Sequence, residues 1–192
     1  MNYIMLVRRH FREQPVFSIA ELRRSLAKEK IGKGYSALLA HNLMRSGEIN
    51  RVAKGFYSFQ SDALVSGFAF SPFYYGLQEA LSLRNLWEQE TIPVILTPTK
   101  ARPGLRKIMG GNALVRRIAR KMFFGFDLVK YYDMWLPVSD AEKTLIDFVY
   151  FKEHLPAQAL QEIKGKIDKK KLGTYLKKCG PMLAKKVREK MR

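Results

Sequence analysis

Asp133, Asp140, Glu142 and Lys143 are the residues whose types best fit bond-breaking chemistry. Carboxylates that hold a divalent cation, with a lysine near the attacking water, make up a metal-dependent nuclease site. The spacing argues against it. Glu142 and Lys143 are adjacent, and neighbours on a helix point about 100° apart. Ser139 stands three residues before Glu142, the spacing of a capping box, and Asp140 suits the positive end of a helix dipole. No glycine-rich phosphate loop, nucleophile elbow or credible Cys/His pair is present. The one cysteine, Cys179, excludes an intrachain disulfide and a cysteine-rich zinc site. His10, His41 and His154 show no metal-ligand spacing. The sequence predicts no enzyme, no cofactor and no metal, with a nuclease or nucleic-acid-processing enzyme as the alternative.

The second chemistry on offer is recognition of a polyanion. The chain carries 35 Lys and Arg against 17 Asp and Glu, a net charge of +18. The excess lies at the two ends. Residues 1–60 hold net +7, residues 61–151 net +2 and residues 152–192 net +9. Such an excess points to nucleic acid, anionic lipid or an acidic protein as partner. In the first sixty residues, Lys33, Arg45, Arg51 and Lys54 are candidates for phosphate contacts. Tyr35, Ser36 and His41 are candidates for base-edge or sugar contacts.

The elements that must carry these residues follow from periodicity. Tyr3, Ile4, Val7 and Phe11 mark a helix over 3–13, ended by Gln14-Pro15, and Val16-Phe17 can form a short strand. Ser18-Ile19-Ala20-Glu21 is a capping box for a second helix ending near Gly32. A third helix runs from about residue 33 or 34 to Ser46, with Leu39, Ala40, Leu43 and Met44 inward and Gly47 as its stop. Residues 48–59 then read as a basic hairpin about Gly55. Helix, short strand, helix, helix and basic hairpin is the winged helix-turn-helix order, in which the third helix enters the major groove of double-stranded DNA.

Residues 61–192 change character. Ser58 to Phe70 reads as a connection. Phe73-Tyr74-Tyr75-Gly76 reads as opening a helix through Leu83, and residues 91–97 as a buried strand. Residues 98–112 read as an irregular loop and Trp135-Leu136-Pro137-Val138 as a short strand. A helix begins at Ser139, its expected N-cap. Basic amphipathic helices follow, as a second DNA contact or a docking surface for an acidic partner. The fold class predicted is α+β: a winged helix over 1–60, then a mixed α/β module over 61–192 ending in helices. No apolar stretch reaches membrane-spanning length, and the reading is of a cytoplasmic protein with no membrane partner.

Several runs in this second part resemble the AbiEi-type antitoxin family of type IV toxin–antitoxin (abortive infection) systems. They are Ser71-Pro72-Phe73-Tyr74-Tyr75 with Glu79-Ala80-Leu81, the strand Ile92–Thr97 and Phe123-Phe124-Gly125. The last is Val138-Ser139-Asp140-Ala141-Glu142-Lys143-Thr144-Leu145-Ile146-Asp147, of which Glu142-Lys143-Thr144-Leu145-Ile146-Asp147 is the most specific piece. The resemblance covers roughly residues 15–190. It implies a transcriptional regulator that represses its own operon by binding promoter repeats and opposes a nucleotidyltransferase-like toxin encoded alongside. A stand-alone winged-helix regulator without a toxin is the alternative within the same class.

Overall fold

The computed structural model describes residues 3–32 and 34–192. They form an α+β protein that groups into two compact units. The first is Met1–Ser71 with Leu105–Ala113, the second Pro72–Gly104 with Leu114–Arg192. The first unit therefore continues past residue 60 and also takes in the tip of a later hairpin.

In the first unit, helices α1 (Tyr3–Phe11), α2 (Ile19–Lys28) and α3 (Tyr35–Arg45) surround a small sheet of β1 (Phe17–Ser18), β2 (Asn50–Ala53) and β3 (Phe56–Ser58). All pairs are antiparallel, in the order β1-β3-β2, which is the winged-helix arrangement. The Ser18–Glu21 capping box forms as its spacing predicts: the Glu21 amide donates to the Ser18 hydroxyl, and the Ser18 amide donates to the Glu21 carboxylate at 2.7 Å. The Ser18 hydroxyl also donates to that carboxylate at 2.7 Å, and these two bonds, from hydroxyl and amide, hold the Glu21 carboxyl below its usual pKa. Val7, Phe11, Phe17, Leu22, Leu26, Leu39, Leu43 and Ile49 share one core, with Phe11 stacked on Phe17 at 4.7 Å between centroids. Gly47 takes φ +75 and closes α3, as its place after the last turn predicts. The segment 63–70, expected to be a plain connection, is a 3-10 helix (Ala63–Phe70) capped by Asp62.

The other sheet is mixed and six-stranded, and the second unit supplies its residues up to Gly104 and from Leu114 onward. Its strands are β4 (Tyr74–Tyr75), β5 (Val94–Thr97), β6 (Gly104–Ile108), β7 (Gly111–Arg117), β8 (Phe126–Tyr131) and β9 (Met134–Ser139), in the order β6-β7-β5-β4-β9-β8. β4 pairs antiparallel with β5 and parallel with β9, and β5 runs parallel to β7. Helices α4 (Leu77–Leu83), α5 (Ala141–Phe151), α6 (Ala157–Lys166), α7 (Lys169–Lys178) and α8 (Pro181–Met191) complete the second unit. Two expectations are corrected, and one strand, β8, was not expected. Tyr74 and Tyr75 form a central strand, buried on both faces, and the helix starts only at Leu77. A strand with neighbours on both sides buries both sets of side chains, so it shows no alternation to read. Residues 104–117 hold a hairpin about Gly110-Gly111, where a loop was expected to reach 112. β8 gave no signal because most of its residues are exposed or half-exposed at the sheet edge.

The first eight residues of α5 are all buried, and α5 packs against α4, α6, α7 and α8. A helix enclosed on every side must satisfy each polar group internally. The described residues include no helix long and apolar enough to cross a membrane.

Candidate nucleic-acid interface

Helix α3 presents two faces. Ser36, Leu39, Ala40 and Leu43 recur at helical spacing and are buried. Ala37, Leu38, His41, Asn42 and Arg45 lie opposite and are exposed. The hairpin after α3 is tight: Lys54-Gly55 joins β2 to β3, with a bulge between Arg51 and Ala53. Gly55 adopts φ +78, and its carbonyl accepts the Ile19 amide at 2.8 Å, which ties the wing to the start of α2. Arg51 and Lys54 are exposed there.

Of the residues expected to meet DNA, the structure therefore brings His41, Arg45, Arg51 and Lys54 to the surface. Among the described residues none of these four pairs with a carboxylate, and Glu48, the nearest acid after α3, is held by Arg8 at 2.8 Å. Ser36 is corrected. It is 1% exposed, on the same face as Leu39 and Leu43, and cannot reach a base. Tyr35 is half-buried and packs edge-on against Tyr3 at 5.7 Å, so its ring braces α1 against α3. Lys33 lies outside the described residues.

Two residues were missed. Asn42 falls one turn after Leu38 and three residues before Arg45 on the exposed face, and asparagine can bond an adenine edge through two hydrogen bonds. Leu38 is 53% exposed on the same face, where an apolar side chain can meet a thymine methyl. The 3.6-residue period places both outward, but counting charges alone passes over them.

The carboxylate and lysine cluster of the second unit has another character. Asp140, not Ser139, caps α5: the Lys143 amide donates to its side chain at 2.8 Å. Ser139 still belongs to β9, and its hydroxyl shares a 2.7 Å bond with Thr144. The expected Ser139–Glu142 capping box is thus displaced, and the Glu142 carboxylate accepts the Asp168 amide at the start of α7. Asp140 also accepts the Tyr175 hydroxyl at 2.8 Å and pairs with Lys171 at 3.0 Å. Burial and the Asp140 carboxylate push the Tyr175 hydroxyl up to about 12. Burial alone would lower Lys171, yet its bond to Asp140 and the nearby acids raise it.

Deeper in, the Lys143 ammonium bonds Asp147 one turn on, and both side chains are fully buried. Tyr74 donates to the other Asp147 oxygen at 2.9 Å, and the Lys143 ammonium lies 5.2 Å from the Phe124 ring centroid. Burial raises the Asp147 carboxyl despite its cationic partner. Gly125 closes the network. It has φ +74, its carbonyl accepts the Asp140 amide, and a Cβ there would lie 2.8 Å from both Lys143 Cβ and Tyr175. Asp133 is not part of this cluster: it follows Tyr132 in the β8–β9 turn. Among the described residues no group of three or more His, Cys, Asp and Glu is placed to hold a metal ion.

Elsewhere in this unit, α7 and α8 expose Lys169, Lys170, Lys177, Lys178, Lys185 and Lys186. The β8–β9 hairpin exposes Leu128, Tyr132 and Trp135.

No protein-family model matches the chain, and no curated protein sequence matches it. Among solved structures, the crystal structure of the RV2827C protein from Mycobacterium tuberculosis is similar, with a TM-score of 0.66 at 16% identity. The match covers 98% of this chain and 74% of that one. At that identity the likeness speaks to the fold alone.

Proposed function

We propose that the first unit binds double-stranded DNA, with α3 in the major groove and the Arg51/Lys54 wing on the flanking backbone, and that the protein is a transcriptional regulator. One observation carries this reading. Helix α3 buries its apolar stripe and turns His41, Asn42 and Arg45 outward, in the same unit as a basic hairpin, and among the described residues no carboxylate pairs with Arg45, Arg51 or Lys54. Exposed cations suit phosphate contacts, and an outward Asn and His suit base edges.

The resemblance to AbiEi-type antitoxins, carried by residues 138–147 above all, extends the proposal. The protein would act in the cytoplasm as the antitoxin of a two-gene system, repressing its own operon. The exposed Leu128, Tyr132 and Trp135 on an edge hairpin support a protein partner as well as DNA.

The test is a titration of the full chain on the DNA just upstream of its gene, against scrambled DNA of equal length, at two salt concentrations. The reading expects a preference for the upstream DNA that survives the higher salt. Equal binding to both that vanishes with salt would mean phosphate attraction without sequence reading. Co-expression with the neighbouring reading frame tests the antitoxin part: rescue of growth from a toxic neighbour supports it, and a harmless neighbour removes it.

A further inference from the structure

The near-neutral charge of the middle of the chain hides a sharp division. Between Glu90 and Asp127 there is no acidic residue, and there are eight basic ones. Five of these belong to the second unit and are exposed: Lys100, Arg102, Arg117, Arg120 and Lys121.

The topology gathers them. β5 and β7 are parallel neighbours with Thr97 opposite Arg117, and the Ile118 amide donates to the Thr97 carbonyl at 3.0 Å. Both strands thus end side by side. The chain leaving β5 runs through Thr99 to Lys100 and Arg102, and the chain leaving β7 runs through Arg120 and Lys121. The space beyond the carboxyl ends of parallel strands is where open α/β sheets take their ligands.

A cavity of about 320 Å³ opens at this point, lined by Pro72, Pro98, Thr99, Arg120 and Phe123. Its wall is two proline rings, an aromatic ring and a threonine, with a single cation. Thr97 braces it from below, its hydroxyl donating to the Pro72 carbonyl at 2.8 Å and accepting the Thr99 amide. Phe123 is fixed from behind by Tyr74 and Phe126, at 5.5 and 4.9 Å between centroids. Among the described residues Lys100, Arg117, Arg120 and Lys121 form no ion pair with a carboxylate of the chain.

A largely apolar cavity with Arg120 in its wall, whose lining segments also carry the exposed Lys100, Arg117 and Lys121, has the chemistry of a base-and-phosphate site. We propose that the cavity between Pro72, Pro98 and Phe123 takes the base of a nucleoside phosphate while Lys100, Arg117, Arg120 and Lys121 hold its phosphates. The base gains ring contact and desolvation there, and arginine offers a planar fork that matches phosphate oxygens. The ligand is a free nucleotide or an unpaired nucleotide of a strand. The site shares no residue with α3, so it neither requires nor excludes the DNA reading of the first unit.

The full chain would be titrated by calorimetry with guanosine triphosphate, inorganic tripolyphosphate, a short oligothymidylate and an abasic strand of the same length. The proposal expects the base-bearing member of at least one pair to bind about tenfold more tightly than its base-free counterpart. Preference within the triphosphate pair identifies a free nucleotide, and preference within the strand pair an unpaired one. Arg120→Ala should remove about tenfold of that binding and Arg120→Lys restore part of it, with the melting temperature unchanged. Arg45→Ala, which tests α3, should leave it unaltered. Equal binding of base-bearing and base-free probes, or no response to Arg120→Ala, would overturn the proposal.

Discussion

Helices α3 and α5 are both eleven residues long and both mix apolar with polar side chains, yet they place the polar groups in opposite directions. In α3 the polar face looks outward, and among the described residues its Arg45 pairs with no acid. In α5, Glu142, Lys143 and Asp147 are 3% exposed or less, and each is spent on a neighbour: Asp168 and Lys171 for Glu142, and Lys143 and Tyr74 for Asp147. Charged residue types therefore say little about recognition until their direction is known. The most chemically suggestive run of the chain, Asp140 to Asp147, works as an internal tie between helices. The plainer α3 leaves His41, Asn42 and Arg45 exposed.

Breaking the α5 network should produce the largest effect. Lys143→Ala leaves Asp147 charged and buried without its partner, and a loss of about 3–5 kcal/mol is expected. Both tryptophans, Trp87 and Trp135, lie in the second unit, so their fluorescence during denaturant unfolding reports it directly. The paired replacement Lys143→Met with Asp147→Leu removes both charges together and should recover most of that loss. Recovery would show that the pair is structural; a stable double variant with a lost second-unit activity would show that α5 also does chemistry.

A smaller loss, about 1–3 kcal/mol, is expected for Gly125→Ala, since the added methyl meets Lys143 and Tyr175 at a left-handed position. Amide exchange would show α5 and α7 loosening while α1 to α3 stay protected. On the other side of the comparison, Ser18→Ala removes one cap of α2 and should cost about 1 kcal/mol. Exchange there should rise in α2 and leave α5 unchanged.

The two units should also answer pH from opposite ends. Glu21 has a lowered pKa when folded, so its contribution is present above 4.5 and is lost as pH falls through the folded value. Tyr175 is raised to about 12 from 10.0, so the folded state holds that proton more tightly and stability falls as pH rises between those values. Lys171, also raised, acts in the same direction, with its contribution complete below 10.5 and lost above it. Alkaline melts monitored by tryptophan fluorescence should therefore show a second-unit decline that is shallower in Tyr175→Phe.

The first unit was legible in the sequence because its signals are local. A capping box, a glycine stop after α3 and a two-residue wing each follow from a few neighbouring residues. The inward turn of Ser36 was legible too, since it recurs with Leu39, Ala40 and Leu43. Its small polar side chain suggested recognition, while the apolar Leu38, outside the inward set, was given no role. The second unit resisted because its determinants are distant in sequence. Tyr74 meets Asp147, Glu142 meets Asp168, and Gly125 meets Asp140 and Tyr175. No spacing rule links such pairs. The cluster of cations at the ends of β5 and β7 was hidden for the same reason: strand pairing brings together residues about twenty apart.

The central claim is that α3 reads DNA with the face that carries Asn42 and Arg45. The most direct measurement is the ratio of affinities for upstream and scrambled DNA in the wild type, Asn42→Ala and Arg45→Ala proteins, at fixed salt and with matched melting temperatures. The account predicts that Asn42→Ala loses about 1–3 kcal/mol of the preference for upstream DNA, because a base-edge contact is removed. Arg45→Ala should weaken binding to both DNAs and flatten the salt dependence by about one phosphate contact. A preference that is unchanged in Asn42→Ala, with Arg45→Ala binding as tightly as wild type, would contradict it and move any DNA recognition off α3.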